Sequence, residues 1–298
     1  MKQEDILKHE PTVISKAQRQ GYFDDGYICL PQLISADWIE KINAALAKQI
    51  ENSRTLTESE GPYDLEDGHC YDDPRLRRIS FVDDLDAVFW EFATQSILPD
   101  LAADIMGPNI SFREFMVNFK WSGGGQEVKW HQDIPFYPHT NLSPAQFLVF
   151  LDDVGPEQGP LQVVPGSHKG PVYDHYDDQE NWVGYIPDEQ HDKLGLDKAL
   201  TLTGTAGTVS VHHCATVHGS RQNNSPQSRP ALVIGYTAAD AVPFTAAPYP
   251  STHYGEIVRG VRTGRVHQEA TEMRMPPDWT HGYTSIFSHQ KTDDVTMG

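Results

Sequence analysis

Phe147-Leu148-Val149-Phe150-Leu151, Asp152-Asp153-Val154-Gly155-Pro156-Glu157-Gln158-Gly159-Pro160, Leu161-Gln162-Val163-Val164 and Pro165-Gly166-Ser167-His168 follow one another without a gap. They read as a strand, an acidic turn, a second strand and a Pro-Gly corner. The apolar runs are too short for helices of ordinary length, and glycine and proline punctuate them. The same texture begins at Ile110. Phe112, Phe115, Val117 and Phe119, then Thr208-Val209-Ser210-Val211, then Ala231-Leu232-Val233-Ile234 are further short runs rich in β-branched and aromatic residues. Short strands separated by turn residues predict a sandwich or barrel.

Upstream the pattern is different. Ser35 stands where it can cap a helix whose apolar positions Ile39, Ile42, Leu46 and Ile50 form one stripe of a 3.6-residue period. Gly26-Tyr27-Ile28-Cys29-Leu30 predicts a first strand just before it, and residues 55–78, polar and broken by Gly61, Pro62, Gly68 and Pro74, predict a long loop. Leu85, Val88, Phe89, Phe92, Ile97, Leu98, Leu101 and Ile105 predict one or two helices ending at Gly107-Pro108. The expectation is an all-β core with helices in one domain over 1–298. It has a mainly helical layer over 1–109, a curved β-core over 110–240 and a C-terminal extension over 241–298, with a frayed tail from Lys291.

Composition narrows the function. There are 23 Lys+Arg against 42 Asp+Glu, a net charge of −19. A nucleic-acid partner needs a basic surface, so that class is excluded, and the charge itself reads as solubility. No stretch approaches the roughly 20 apolar residues of a membrane helix, and the charged start lacks the apolar core of a secretory signal. Cys29, Cys70 and Cys214 are too scattered for a disulfide framework. A cytoplasmic protein, monomer or homodimer, with a small-molecule partner is expected.

Trp130-His131-Gln132-Asp133 carries the first chemistry. In a strand, residues i and i+2 share a face, so His131 and Asp133 would present an imidazole and a carboxylate together. A third ligand must come from elsewhere, and His212, His213 and His218 are the candidates. Two histidines and one carboxylate on one face of a metal leave three positions open, which suits Fe(II) oxygen chemistry.

Further residues fall into an ordered set. After the HxD come Gly159-Pro160-Leu161, Pro165-Gly166-Ser167-His168, His218-Gly219-Ser220, Asn223, Ser225 and Arg229, the last eleven residues beyond His218. In this order they closely resemble the phytanoyl-CoA dioxygenase family, iron(II)/2-oxoglutarate-dependent oxygenases that include ectoine hydroxylases. The resemblance spans most of the chain, starting weakly at Phe23-Asp24-Asp25-Gly26-Tyr27 and continuing to Arg229-Pro230-Ala231-Leu232. It implies a double-stranded β-helix (a jelly roll, cupin-like), with Fe(II), 2-oxoglutarate and O₂ as cofactors and cosubstrates. It also implies His131, Asp133 and His218 as iron ligands, Arg229 as the clamp on the distal carboxylate of 2-oxoglutarate, and Ser220 and Asn118 as further contacts. His218 is the histidine followed by Gly-Ser and the arginine, which leaves His212 and His213 as packed or supporting residues. Related halogenases lack the carboxylate, so Asp133 implies hydroxylation. Desaturation or ring formation, or a non-catalytic cupin-like metal site, are the alternatives.

The substrate is less legible. The segment 170–198 carries Asp174, Asp177, Asp178, Glu180, Asp188, Glu189 and Asp192 among Tyr173, Tyr176, Trp182 and Tyr185. As a lid it would suit a cationic or zwitterionic substrate, and as a solvated loop it would do nothing. Arg75, Arg77 and Arg78, then Arg259, Arg262, Arg265 and Arg274, form two basic groups that could hold an anion or make salt bridges. Arg113 and Lys129 lie near the HxD strand. His168 and Cys214 read as satisfied or packed residues, and Trp130, Phe136 and Tyr137 as either pocket or core.

Overall fold

A computed structural model describes residues 1–123, 125–281, 286 and 290; the tail expected to fray from Lys291 lies outside them. The described strands are β1 (Tyr27–Leu30), β2 (Tyr63–Leu65), β3 (Leu76–Ser80), β4 (Ile110–Lys120), β5 (Val128–His131), β6 (Ala145–Phe150), β7 (Leu161–Val163), β8 (Leu200–Thr201), β9 (Val209–His213), β10 (His218–Ser220), β11 (Arg229–Ala238) and β12 (Ile257–Arg259). They form two facing sheets. The larger runs β1-β9-β6-β11-β4-β3-β2, with β12 also on β4, and the smaller runs β5-β10-β7-β8. All pairs are antiparallel. This is the jelly roll that the resemblance implies, and it is one of the sandwich or barrel arrangements that the short strands predict.

The larger sheet is covered on both faces, and strand alternation divides the work. Phe115, Val117 and Phe119 of β4, Leu232, Ile234 and Tyr236 of β11, and Phe147 and Val149 of β6 point outward into the main core. Glu114, Met116, Asn118 and Lys120, with Arg229, Ala231 and Val233, point inward towards the smaller sheet. Phe112 and Phe115 could not share a face in a regular strand. They do because the ladder slips by one residue here: Gly235 pairs with Glu114 but Tyr236 pairs with Phe112. Arg113 is the extra residue of a bulge.

The helices α1 (Gln3–Ile6), α2 (Lys16–Asp25), α3 (Ala36–Ser53), α4 (Val82–Leu85), α5 (Ala87–Gln95) and α6 (Leu98–Met106) supply the cover for the outward face. Ser35 caps α3 by accepting from the Trp38 N–H, and Ile42, Ala45 and Leu46 bury the expected stripe. α6 stops at Gly107. At the end of α2, Gly26 takes a left-handed conformation (φ 77°), and a Cβ there would strike the His168 ring and the Thr216 hydroxyl. No described helix is long and apolar enough to cross a membrane.

Two expectations need correction. Residues 55–78 are not one loop: they contain β2 and the start of β3, and β3 joins the larger sheet through β4, with Arg78 opposite Asn118. Leu76 and Ile79 are fully buried, but so short a strand among glycines and prolines carries little periodic signal. The N-terminal layer therefore gives three strands to the larger sheet as well as its helices, and the C-terminal extension adds β12.

Candidate metal centre and its cavity

β5 and β10 are neighbours in the smaller sheet, and their register sets His131 opposite His218. Gly219 lets them close: a Cβ there would lie 2.9 Å from the Val128 carbonyl oxygen. β5 ends at His131, so Asp133 does not share a strand face with it as expected. Asp133 sits in a helical turn (φ −79°, ψ −35°), and its N–H and that of Ile134 both donate to the Cys214 carbonyl at 2.9 Å. The turn still delivers the carboxylate. Asp133 Oδ1 lies 3.8 Å from His131 Nε2 and 3.7 Å from His218 Nε2, and one donor atom from each of the three residues falls within 4.8 Å of the others. Donors each roughly 2–2.2 Å from one ion lie about 3–4 Å apart, so a single metal fits.

The protonation states fit too. His131 Nδ1 faces the Lys129 carbonyl at 2.8 Å and His218 Nδ1 faces the Thr216 carbonyl at 2.9 Å. A carbonyl only accepts, so each Nδ1 carries the proton and each Nε2 presents a lone pair. Burial drives the pKa of both imidazoles down, against the pull of Asp133. Burial alone would raise Asp133, but His218, His212 and His131 outweigh it and hold the carboxyl well below the usual range. Neutral imidazoles and a carboxylate are what a metal requires.

His212 and His213 separate by strand alternation. His212 faces inward and donates from Nε2 to Asp133 Oδ2 at 3.0 Å, which supports the carboxylate. His213 faces outward, its ring centroid 5.1 Å from that of His168 and 6.4 Å from that of Tyr22. His168 is bonded to the Phe23 carbonyl, and Cys214 is fully buried.

The three groups open on a cavity of about 140 Å³ whose opposite wall is the larger sheet. Arg229, Ser220 and Asn118 all line it. Arg229 is 6 % exposed, donates from Nε to the Gln158 carbonyl at 3.2 Å, and has no acidic partner among the described residues. Burial lowers its pKa to about 10, so it stays charged at neutral pH. Lys120, paired with it across the ladder, donates to the carbonyls of Ser220 and Arg221. Burial and then Arg229 push its ammonium well below the ordinary lysine range.

Sequence reasoning missed several lining residues. Arg78 is not part of a surface patch. On β3 it alternates with Arg77, which pairs with Asp67 at 3.1 Å in the open, while Arg78 turns inward. There it donates from Nε to Asn118 Oδ1 at 2.8 Å and from Nη1 to the Tyr249 hydroxyl. Glu114 and Gln146, hydrogen-bonded to each other, line the far end beside Tyr137. The inward parity of Asn118 on the same strand was the available clue for Glu114, since the two are four residues apart.

The remaining candidates lie elsewhere. Phe136 and Tyr137 line the cavity, whereas Trp130 packs against Val164, Ile186 and Val217. Arg113 pairs with Glu114 and lies 3.6 Å from the Tyr137 ring centroid, and Lys129 lies over Tyr185. No residue of the 170–198 segment lines the cavity. Asp174 and Glu180 pair with Arg274, and Arg259 pairs with Asp100. A second possible ligand group, Asp83, Asp84 and His253, lies off the cavity, and Asp84 already accepts from Thr252.

Comparison with known proteins agrees with this geometry. The family model for phytanoyl-CoA dioxygenase (PhyH) matches residues 22–231. A relative from Stutzerimonas stutzeri, named "Probable alpha-ketoglutarate-dependent hypophosphite dioxygenase", is 35 % identical over 83 % of this chain and 86 % of its own. L-proline trans-4-hydroxylase of Streptomyces griseoviridis is 31 % identical over 74 % of this chain and 86 % of its own. The crystal structure of EctD from S. alaskensis with 2-oxoglutarate and 5-hydroxyectoine shares the fold, with a TM-score of 0.64 at 22 % identity over 91 % of this chain and 92 % of that one. The chain belongs to the phytanoyl-CoA dioxygenase family and is an Fe(II)/2-oxoglutarate-dependent dioxygenase.

Proposed function

We propose that the protein hydroxylates a C–H bond of a small polar metabolite, with His131, Asp133 and His218 holding Fe(II) and Arg229 seating 2-oxoglutarate. One observation carries the reading. A buried guanidinium with no acidic partner among the described residues faces the same small cavity as a metal-competent triad. A buried charge of this kind needs a carboxylate, and a guanidinium fork matches one bidentately. Bound there, Fe(II) with 2-oxoglutarate and O₂ supplies C–H oxidation, giving the alcohol, succinate and CO₂.

The chain's own residues do the rest. His131, Asp133 and His218 would hold the ion with three protein donors, which would leave room for a chelating cosubstrate and O₂. Ser220, two residues beyond His218 on the same strand, and Asn118, which accepts from Arg78, line the same cavity as Arg229 and add polar groups to it. Leu148, Leu161 and Val233 exclude water from the same space. The relative named L-proline trans-4-hydroxylase takes a small zwitterion, which favours that class here, with Glu114, paired to Arg113, and Arg78, bonded to Asn118 and Tyr249, making the cavity wall polar. The acidic 170–198 segment contributes nothing to that preference.

A screen for substrate-stimulated succinate release across amino acids, betaines, phosphonates and acyl-thioesters tests the reading. Stimulation by a zwitterion, with one atom of labelled O₂ in the product, is expected. Stimulation by acyl-thioesters alone would overturn the substrate class, and a product two hydrogens lighter with no new oxygen would replace hydroxylation by desaturation or ring formation.

A further inference from the structure

The residue between the two ligands of the HxD turn is held more completely than either ligand. Gln132 is fully buried and does not line the cavity. Its side-chain Nε2 donates to the Ala215 carbonyl at 2.8 Å and to the Pro171 carbonyl at 3.1 Å, and its Oε1 accepts from the Tyr173 N–H at 2.8 Å. Its backbone N–H donates to His175 Nε2 at 3.1 Å. His175 is prepared for that role. Its Nδ1 donates to the Tyr173 carbonyl at 3.0 Å, which leaves the lone pair on Nε2. Burial lowers its pKa to about 3 and keeps the ring neutral. The ring is stacked on Trp182 and meets the edge of Phe136.

β5 has already ended at His131, so no ladder bond sets the dihedral angles that separate the His131 and Asp133 side chains. Those angles belong to the peptides on either side of residue 132. The strap 171–175 grips this point from one side. From the other it is gripped by Cys214 and Ala215, whose chain runs on to His218.

We propose that Gln132 and His175 are positioning residues for the metal centre, and that the strap 171–175 aims the His131 and Asp133 side chains by fixing the peptide between them. This rests on the ligand assignment proposed above. It gives the 170–198 segment a role quite unlike that of a lid: its acidic face is turned outward while its first residues brace the metal turn from behind.

The test uses the full-length protein stripped of metal and titrated with Co(II), whose electronic spectrum reports coordination geometry without turnover. His175→Ala and Gln132→Met are expected to weaken Co(II) binding by about 10- to 100-fold and to change the spectrum. His175→Gln, which keeps an acceptor, is expected to recover most of the affinity. Wild-type affinity and spectrum in both His175→Ala and Gln132→Met would overturn the proposal, even if the melting temperature of the metal-free protein falls. If His175→Ala does not fold, Gln132→Glu, which keeps the size and loses the donors, gives the same reading. His131→Ala separates the two claims. Retained Co(II) there removes the ligand assignment itself, while loss there with wild-type binding in both His175→Ala and Gln132→Met removes only the positioning role.

Discussion

The two ends of the cavity are built by different means. The triad end is made of strand ends and turns. His131 closes β5, Asp133 lies beyond it and His218 opens β10, and side-chain and backbone bonds stitch them together. The carboxylate seat lies on the two longest strands: Arg229 opens β11 opposite Lys120, which closes β4, and Asn118 sits two residues further in, all set by one long ladder. A site assembled from turns depends on a few local hydrogen bonds. A site at the end of a long ladder is held in register by the pairs behind it, so its side chains matter more than any one local bond.

The largest expected effect falls on the turn-built end. His131→Ala and Asp133→Ala should each abolish measurable Fe(II) binding in metal analysis and equilibrium titration; stoichiometric iron in either would dissolve the contrast. Acid should strike the buried histidines next: His175, which braces the metal turn, and His139, whose Nδ1 donates to the Tyr137 carbonyl. Buried His139 and His175 have pKa values lowered to about 4 and about 3, against about 6.5 in an unfolded chain. Between about pH 4 and 6.5 the unfolded state binds more protons, so stability rises with pH and is lost on acidification. Each histidine should cost about 1.4 kcal/mol per pH unit in denaturant unfolding of the metal-free protein. Stability that is flat from pH 6.5 to 5 would show that these imidazoles are not held neutral.

At the ladder-built end, Arg229→Ala should raise the concentration of 2-oxoglutarate needed for half-maximal turnover by 10-fold or more, since a hydrogen bond to a charged group is worth about 1.5–3 kcal/mol. It should leave Co(II) binding without cosubstrate unchanged, and a joint loss would mean that the two ends are not separable. The smallest effect belongs to the acidic segment. Neutralising the half-buried Asp177 and the exposed Asp178, neither of which lines the cavity, should change substrate affinity by less than about 2-fold at low and at high salt alike. A larger, salt-sensitive loss would restore that segment as part of the substrate surface.

This contrast also explains what was legible in the sequence. The triad and Arg229 stand in an ordered run of short motifs, so a linear reading can find them. Arg78, Glu114 and Gln146 have no motif. Their place depends on which face of a strand is turned inward, and for Arg78 that required recognising a five-residue strand inside an apparent loop. Ser35 and the stripe of α3 announced their helix because both signals are local. The strap role of residues 171–175 had no such signal, because its bonds are to Gln132, about 40 residues away in the chain.

The single-residue slip at Arg113 has a further consequence. It uncouples the upper and lower halves of β4, so that Asn118 and Lys120 keep their places whatever happens above the slip. Glu114 lies on the same side of the slip as Asn118 and Lys120, so a residue gained or lost between Ile110 and Arg113 would be absorbed at the outer end of the strand and leave the whole cavity wall in place. Such a joint is a tolerance built into the scaffold: the outer end of the strand can drift in length while the pocket keeps its inventory.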